Sequence, residues 1–267
     1  MADFGRIQFE GIEGIRTGWK DHVTASFVNY RIGDTLIDCG PLRQWQFVRP
    51  FIAEKDVRQL LITHFHEDHT GNIKNIHDEF DVLASGHERT VRQLKKGFSI
   101  TLLEKIFWGS TPKIAIQPFP ERIELDDGSQ IIPIHVPGHC HDMQCFFVPE
   151  KGYMFTGDLY IASAVKFLHE KENLGQQIDD IRNVLNYDFQ TMFCPHRGVV
   201  EDGKQALSRK LEYLVELCGN AQHLFGQGMT VKEVTNQLLG PDSLGAYLTR
   251  FNFSKRGLIK GCLDVQL

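Results

Sequence analysis

The sequence predicts an α/β domain reaching to about residue 203, followed by a helical region over 204–267. Apolar runs of strand length alternate with helical patterns through the first part of the chain, whereas only helical spacing follows residue 203. Size agrees, since 267 residues with 42% hydrophobic side chains suffice for one large enclosed domain with a short appendage.

From Ser26 to Asp38, alternating apolar positions surround Ile32-Gly33-Asp34, a turn that folds two strands into a hairpin. Val57 to Thr63 is an apolar run bounded by charge, which suits a buried strand, and it leads directly into HFHEDHTGN. Residues 71–80 and 87–96 have helical character, the second stopped by Gly97, with Val82-Leu83-Ala84 a short strand between them. Phe98, Leu102, Leu103, Ile106, Phe107 and Trp108 make 98–119 read as an inserted amphipathic helix, either packed on the core or serving as a substrate-pocket wall, lid or dimer contact. Gln130 to Val136 is a strand ending at Pro137-Gly138-His139. Cys145–Val148 and Tyr153–Thr156 form a hairpin that leads into Gly157-Asp158. A helix over Gln176–Tyr187 precedes a strand, Thr191–Cys194, which runs into Pro195-His196. Lys204–Cys218 is helical, and the Thr230-x-x-Glu233 capping box opens a further helix that Gly240-Pro241 closes.

Composition excludes several function classes. With 29 Lys and Arg against 34 Asp and Glu, the net charge of −5 provides no global positive field for a nucleic-acid backbone. No run approaches the roughly 18 apolar residues of a membrane helix, and MADFGRIQFEGIEG lacks a signal-peptide pattern, so a soluble cytoplasmic protein is expected. Cys39, Cys140, Cys145, Cys194, Cys218 and Cys262 form no CxxC pair and are expected to be reduced packing residues.

The 12 histidines carry the chemistry. His64, His66, Asp68 and His69 lie on the loop after a strand, at metal-ligand spacing, and a polar surface turn does not explain four donors ending an apolar run. Imidazole and carboxylate without thiolate suit Zn²⁺, Fe²⁺ or Mn²⁺ and argue against a closed structural zinc site. His139, Asp158 and His196 each follow another strand, and seven donors exceed what one ion uses. A workable division puts His64, His66 and His139 on one ion and Asp68, His69 and His196 on a second, with Asp158 bridging. Such a pair activates water and polarises a carbonyl or phosphoryl oxygen, which is hydrolytic machinery.

HFHEDH, PGH, TGD and CPH, in this order over about residues 15–200, resemble the HxHxDH…H…D…H signature of the metallo-β-lactamase superfamily. The resemblance implies a four-layer αβ/βα sandwich with the site at the edge between two sheets, and it carries the ligand roles to His64, His66, Asp68, His69, His139, Asp158 and His196. Departures narrow the class. The family's diiron reductases typically place Glu where His66 stands, which favours a hydrolase here. Many antibiotic-degrading members place Cys on the second metal, where this chain has Asp68, His69 and His196. The lactonases' active-site Tyr is only approximated by Tyr160. Glyoxalase II-like thioesterases share the signature and add a C-terminal helical region, whereas RNA-processing relatives need an RNA-gripping domain and a basic groove that do not appear.

The expectation is therefore a dinuclear hydrolase of a small ester-like substrate (thioester, lactone or phosphoester). Zinc is the first choice of metal, with iron or manganese as alternatives. A bridging hydroxide would be the nucleophile, and Asp68 the residue that orients it and takes its proton. The alternatives are a metal-retaining sensor or regulatory binding protein of the same fold, and a mononuclear iron enzyme resembling the persulfide dioxygenases. Expected partners are a small-molecule substrate and a second copy in a homodimer, with neither nucleic acid nor membrane. His141 is set aside as a loop residue, and His22, His77, His87, His135, His169 and His223 as surface or packing residues. Arg197 either holds an anionic substrate group or is a surface charge.

Overall fold

The computed structural model describes residues 5–18, 25–243 and 253–266; His22, residues 244–252 of the expected helical region and the side chain of Leu103 lie outside it. The chain groups into two units, one of residues 1–135, 142–161 and 188–203, the other of 136–141, 162–187 and 204–267.

In the first unit, β1 (Gly5–Phe9), β2 (Ile12–Gly18), β3 (Ser26–Ile32) and β4 (Thr35–Ile37) form an antiparallel meander. The sheet then continues in parallel through β5 (Gln59–Leu61), β6 (Ala84–Gly86) and β7 (Gln117–Pro118). Pairing changes sense where the connections become helical: α1 (Trp45–Ala53) precedes β5, α2 (Glu67–Thr70) and α3 (Ile73–Phe80) precede β6, and α4 (Glu88–Lys96) and α5 (Leu102–Phe107) precede β7. A second sheet contains β8 (Ile123–Glu124), β9 (Gln130–His135), β10 (Gln144–Val148) and β11 (Tyr153–Phe155). After β12 (Leu168–His169), which belongs to the other unit, the second sheet is completed by β13 (Thr191–Cys194) and β14 (Gly198–Val200).

Alternation along the strands divides two cores. Ile37 and Leu61 join Tyr30, Phe146, Phe155 and Phe193 between the two sheets. Their chain neighbours Leu36 and Leu60 turn to the opposite face and pack on Val48, Phe51 and Ile52 of α1, Ile73 and Ile76 of α3, and Leu94 of α4. This double burial is why β4 and β5 read as continuous apolar runs.

Three differences from the sequence reading have physical causes. The strand expected at 82–84 forms at Ala84–Gly86: Val82 is buried ahead of it, while the small residues Ala84 and Ser85 pair with Leu60 and Leu61. Helix α1 lacks local signals, because Gln44 makes no side-chain cap and Pro50 lies inside the helix. Tertiary contacts hold it: the buried Arg31 guanidinium donates to the Phe51 carbonyl at 2.6 Å, lies 4.3 Å from the Phe51 ring centroid and pairs with Glu13 at 2.5 Å. Segment 98–119 is helical only over Leu102–Phe107, capped by Thr101 and Glu104 in a reciprocal box.

The second unit carries α6 (Leu174–Val184), α7 (Gly203–Gly226), α8 (Val231–Leu239) and α9 (Lys255–Asp264), with β12 paired to β15 (Phe253–Ser254). Helix α7 extends beyond the Cys218 boundary, and Gln222 on it donates to the carbonyls of Cys262 and Val265, at 2.9 and 2.8 Å, tying it to α9. None of the six cysteines is in a disulfide.

Candidate metal centre

The HFHEDH run leaves β5 through Ile62 and Thr63. The His66 carbonyl then accepts from the amides of His69 and Thr70, both at 3.0 Å, which opens the single turn of α2. Gly71 is needed next, because a Cβ there would stand 2.2 Å from the Leu42 amide nitrogen. The Asn72 side chain donates to the carbonyls of Cys39 and Pro41 at 2.9 and 2.8 Å, clasping the loop after β4. Asp158 follows β11 and His196 follows β13. These two strands run parallel with Phe155 opposite Phe193, so both loops open at the same end of the second sheet.

Asp158 divides its oxygens: Oδ1 lies 3.4 Å from His69 Nε2 and 3.2 Å from His196 Nε2, while Oδ2 lies 4.0 Å from His64 Nε2. Asp68 Oδ2 is 3.8 Å from His69 Nε2 and 3.7 Å from His196 Nε2. His64 Nε2 and His66 Nδ1 face each other at 3.0 Å. Within the first unit, two overlapping donor sets result, His64/His69/Asp158 and Asp68/His69/His196, each with its ligating atoms within 4.8 Å of one another. His64, His69 and His196 are buried; Asp68 and Asp158 are partly so. His139 belongs to the second unit. Its turn rests on α6, where the Gly138 amide donates to Asp180 at 2.7 Å, a Cβ on Gly138 would meet the Gln177 amide at 2.5 Å, and His139 Nδ1 faces Glu172 Oε1 at 3.3 Å.

Sequence reasoning missed the groups that orient these donors. Asp38, buried at the end of β4, faces His69 Nδ1 at 2.8 Å and accepts from the Thr63 amide at 2.8 Å and the Thr63 hydroxyl at 2.8 Å. A carboxylate offers only lone pairs, so His69 keeps a proton on Nδ1 and Nε2 is the nitrogen left to give up its proton and serve as a ligand. The Ser26 carbonyl does the same for His196, 3.0 Å from Nδ1. Arg16 holds that loop, donating to the carbonyls of His196 at 3.0 Å and Arg197 at 2.8 Å. The available signal for Asp38 was an acidic residue just past a strand, the same placement that marked Asp158.

Electrostatics follow from the packing. Burial alone would keep His69 neutral, but Asp68, Asp38 and Asp158 outweigh it and raise its pKa well above the usual imidazole value. His196 is raised in the same way by Asp158 and Asp68 against the same burial. Burial would push the Asp158 carboxyl up, yet His196 and His69 hold it well below the ordinary range. Glu67 is pushed up to about 8 by burial, by Asp68 and by Glu104 of α5. Burial lifts the Cys194 thiol to about 11, and its sulfur shapes the turn by donating to the Tyr160 carbonyl at 2.8 Å and accepting from the Arg197 amide at 3.2 Å. Arg197 Nε donates to the Ile161 carbonyl at 2.8 Å, and His141 is exposed.

The residues fit a divalent cation. Among the described residues His69 Nε2 is buried with no hydrogen-bond partner, and carboxylate oxygens of Asp158 and Asp68 stand 3.4 and 3.8 Å from it, so a cation there would meet one nitrogen and two anionic oxygens at once. The donors around it are imidazole nitrogens and carboxylate oxygens, the set suited to zinc, iron or manganese.

Residues 19–206 match the sequence model of the metallo-beta-lactamase superfamily. The chain belongs to this superfamily. It is 27% identical to the atrochrysone carboxyl ACP thioesterase AacuM of Aspergillus aculeatus, over 54% of this chain and 39% of that protein. It is also 27% identical to an atrochrysone carboxyl ACP thioesterase of Aspergillus chevalieri, over 77% of this chain and 64% of that protein. The chain thus spans less than two thirds of the length of either relative. A metallo-beta-lactamase family protein from Thermus thermophilus, with 17% sequence identity, superposes with a TM-score of 0.67 over 95% of this chain and 92% of its own. That likeness shows the α/β metallo-β-lactamase fold expected from the sequence.

Proposed function

We propose that this protein is a dinuclear metal-dependent hydrolase of a small thioester. The observation that carries the reading is Asp158, which turns one oxygen to His69 and His196 and the other to His64, as a bridging ligand would. In this reading His64, His66 and His139 hold one divalent ion and Asp68, His69 and His196 the other. Zinc suits the donors best, and iron or manganese are the alternatives. When bound, the ions would supply Lewis acidity and lower the pKa of water toward neutrality. Asp38 and the Ser26 carbonyl keep the protons of His69 and His196 on Nδ1, and Asp68 receives the proton of the attacking water. Among lactone, phosphoester and thioester bonds, the thioester is favoured because the relatives named above are thioesterases, and the reaction is assigned to the cytoplasm.

Two measurements test this. Elemental analysis of the purified protein is expected to find close to two first-row transition metals per chain. A panel of acyl thioesters, lactones and phosphodiesters is expected to show metal-dependent turnover on thioesters. One ion per chain at saturation sinks the dinuclear assignment, and no metal-dependent turnover on the panel sinks the hydrolase in favour of a sensor.

A further inference from the structure

Asp142 lies outside the ligand set and is almost fully buried, with 2% of its surface exposed. Its Oδ2 accepts from the Phe65 amide at 3.0 Å and from the Thr90 hydroxyl of α4 at 2.7 Å. Phe65 is the residue between His64 and His66, and it is held at every handle. Its amide goes to Asp142, its carbonyl accepts from the Thr70 hydroxyl at 3.0 Å, and its ring packs on Phe98 with centroids 4.9 Å apart. The His66 ring lies edge-on to that same ring at 4.7 Å. On the other side of His64, the Thr63 amide goes to Asp38. Both chain neighbours of His64 therefore donate their amides to a buried carboxylate that carries no ligand role.

A carboxylate is an expensive choice for accepting one amide and one hydroxyl. Among the described residues Asp142 Oδ1 is buried with no hydrogen-bond partner, and a fold needing only an acceptor could use a neutral one at less desolvation cost. We infer that Asp142 is a positioning residue for the His64–His66 pair, fixing the peptide between the two histidines so that their nitrogens converge on one ion. The inference rests on the metal assignment proposed above. Its physical basis is that groups just outside a ligand shell set ring orientation, and their loss typically costs about 10- to 100-fold in metal affinity.

The test uses zinc titration of the chelator-stripped full chain by calorimetry, cobalt(II) absorption spectra, and melts of the stripped protein. Asp142→Ala is expected to weaken the ion held by His64 and His66 about 10- to 100-fold, to change the cobalt spectrum of that site, and to leave the other ion's affinity unchanged. Asp142→Asn keeps an acceptor for the Phe65 amide but removes the charge, and is expected to recover only part of the loss. Thr90→Val, which loosens Asp142 without emptying its place, gives a smaller loss of the same kind and reports on the same contact if Asp142→Ala fails to fold. Equal affinity for both ions in Asp142→Ala and wild type, or equal weakening of both ions in step with a lower melting temperature of the stripped protein, overturns the inference. A wild-type chain that takes up no ion overturns the metal assignment and this inference together, whereas failure on thioesters alone touches only the hydrolase reading.

Discussion

Asp68 commits Oδ2 to the space shared with His69 and His196, and a carboxylate so placed retains a second oxygen for a proton. Asp68→Asn preserves size but removes both the charge and the basic oxygen. At full metal occupancy its turnover is expected to fall by about 10²- to 10⁴-fold, the worth of a positioned general base. His141→Ala is the control: the side chain is exposed, and rates and metal content should stay close to wild type. Near-normal rates for Asp68→Asn, or a collapse for His141→Ala, would show the wrong residues at the centre. What was legible at this scale follows from range. The donors announce themselves locally by residue type and by position after strands, whereas Asp38 acts on a histidine 31 positions away and Asp142 on an amide 77 positions away. No local pattern encodes such contacts, and Asp142, beside the loop residue His141, carries no signal of its own in the sequence.

Helix α5 leaves three large apolar side chains uncovered. Leu102, Ile106 and Phe107 are 73%, 53% and 50% exposed, while the flanks of the helix are tied down: Phe98 packs on Phe65, and Trp108 packs on Phe27, itself in ring contact with His196. The two roles weighed for this segment therefore separate by residue. Ile106→Ser with Phe107→Ser is expected to leave the melting temperature and metal content nearly unchanged, within about 0.5 kcal/mol for an exposed pair. The same variant should change KM or the oligomeric state if the helix forms a pocket wall or dimer contact. Trp108→Ser removes packing and should cost on the order of 1–3 kcal/mol, less than a fully buried aromatic because Trp108 is only half-buried. Unfolding of the Ile106/Phe107 variant would mean that the exposed face is structural after all. Elements with periodic apolar spacing or caps, such as β3, β5, α4 and α8, were legible in the sequence. Helix α1 was not, because its stability comes from Arg31 and the core and not from its own caps.

Across the molecule, protons and cations compete for the same buried atoms, and the signs of the shifts set how stability depends on pH. The folded-state pKa values of His69 and His196 are raised, so their ion pairs stabilise the chelator-stripped protein fully below the unfolded imidazole value of about 6.5, and that contribution is lost as pH rises through the folded values. Asp158 is depressed, so its share is present above about 3.9 and is lost as pH falls through its folded value. Since these groups face one another, the stripped protein should be most stable in the window between those limits and should weaken as pH rises beyond about 6.5. Metal binding runs the other way, because each nitrogen must give up its proton to serve as a ligand, so affinity increases with pH. The difference in melting temperature between metal-loaded and chelator-stripped protein is therefore expected to widen steadily from about pH 6 to about pH 9. Thermal melts with and without chelator across that range measure it directly. A gap that stays constant with pH would mean that His69 and His196 do not exchange protons for metal, and the centre would have to be sought in other residues.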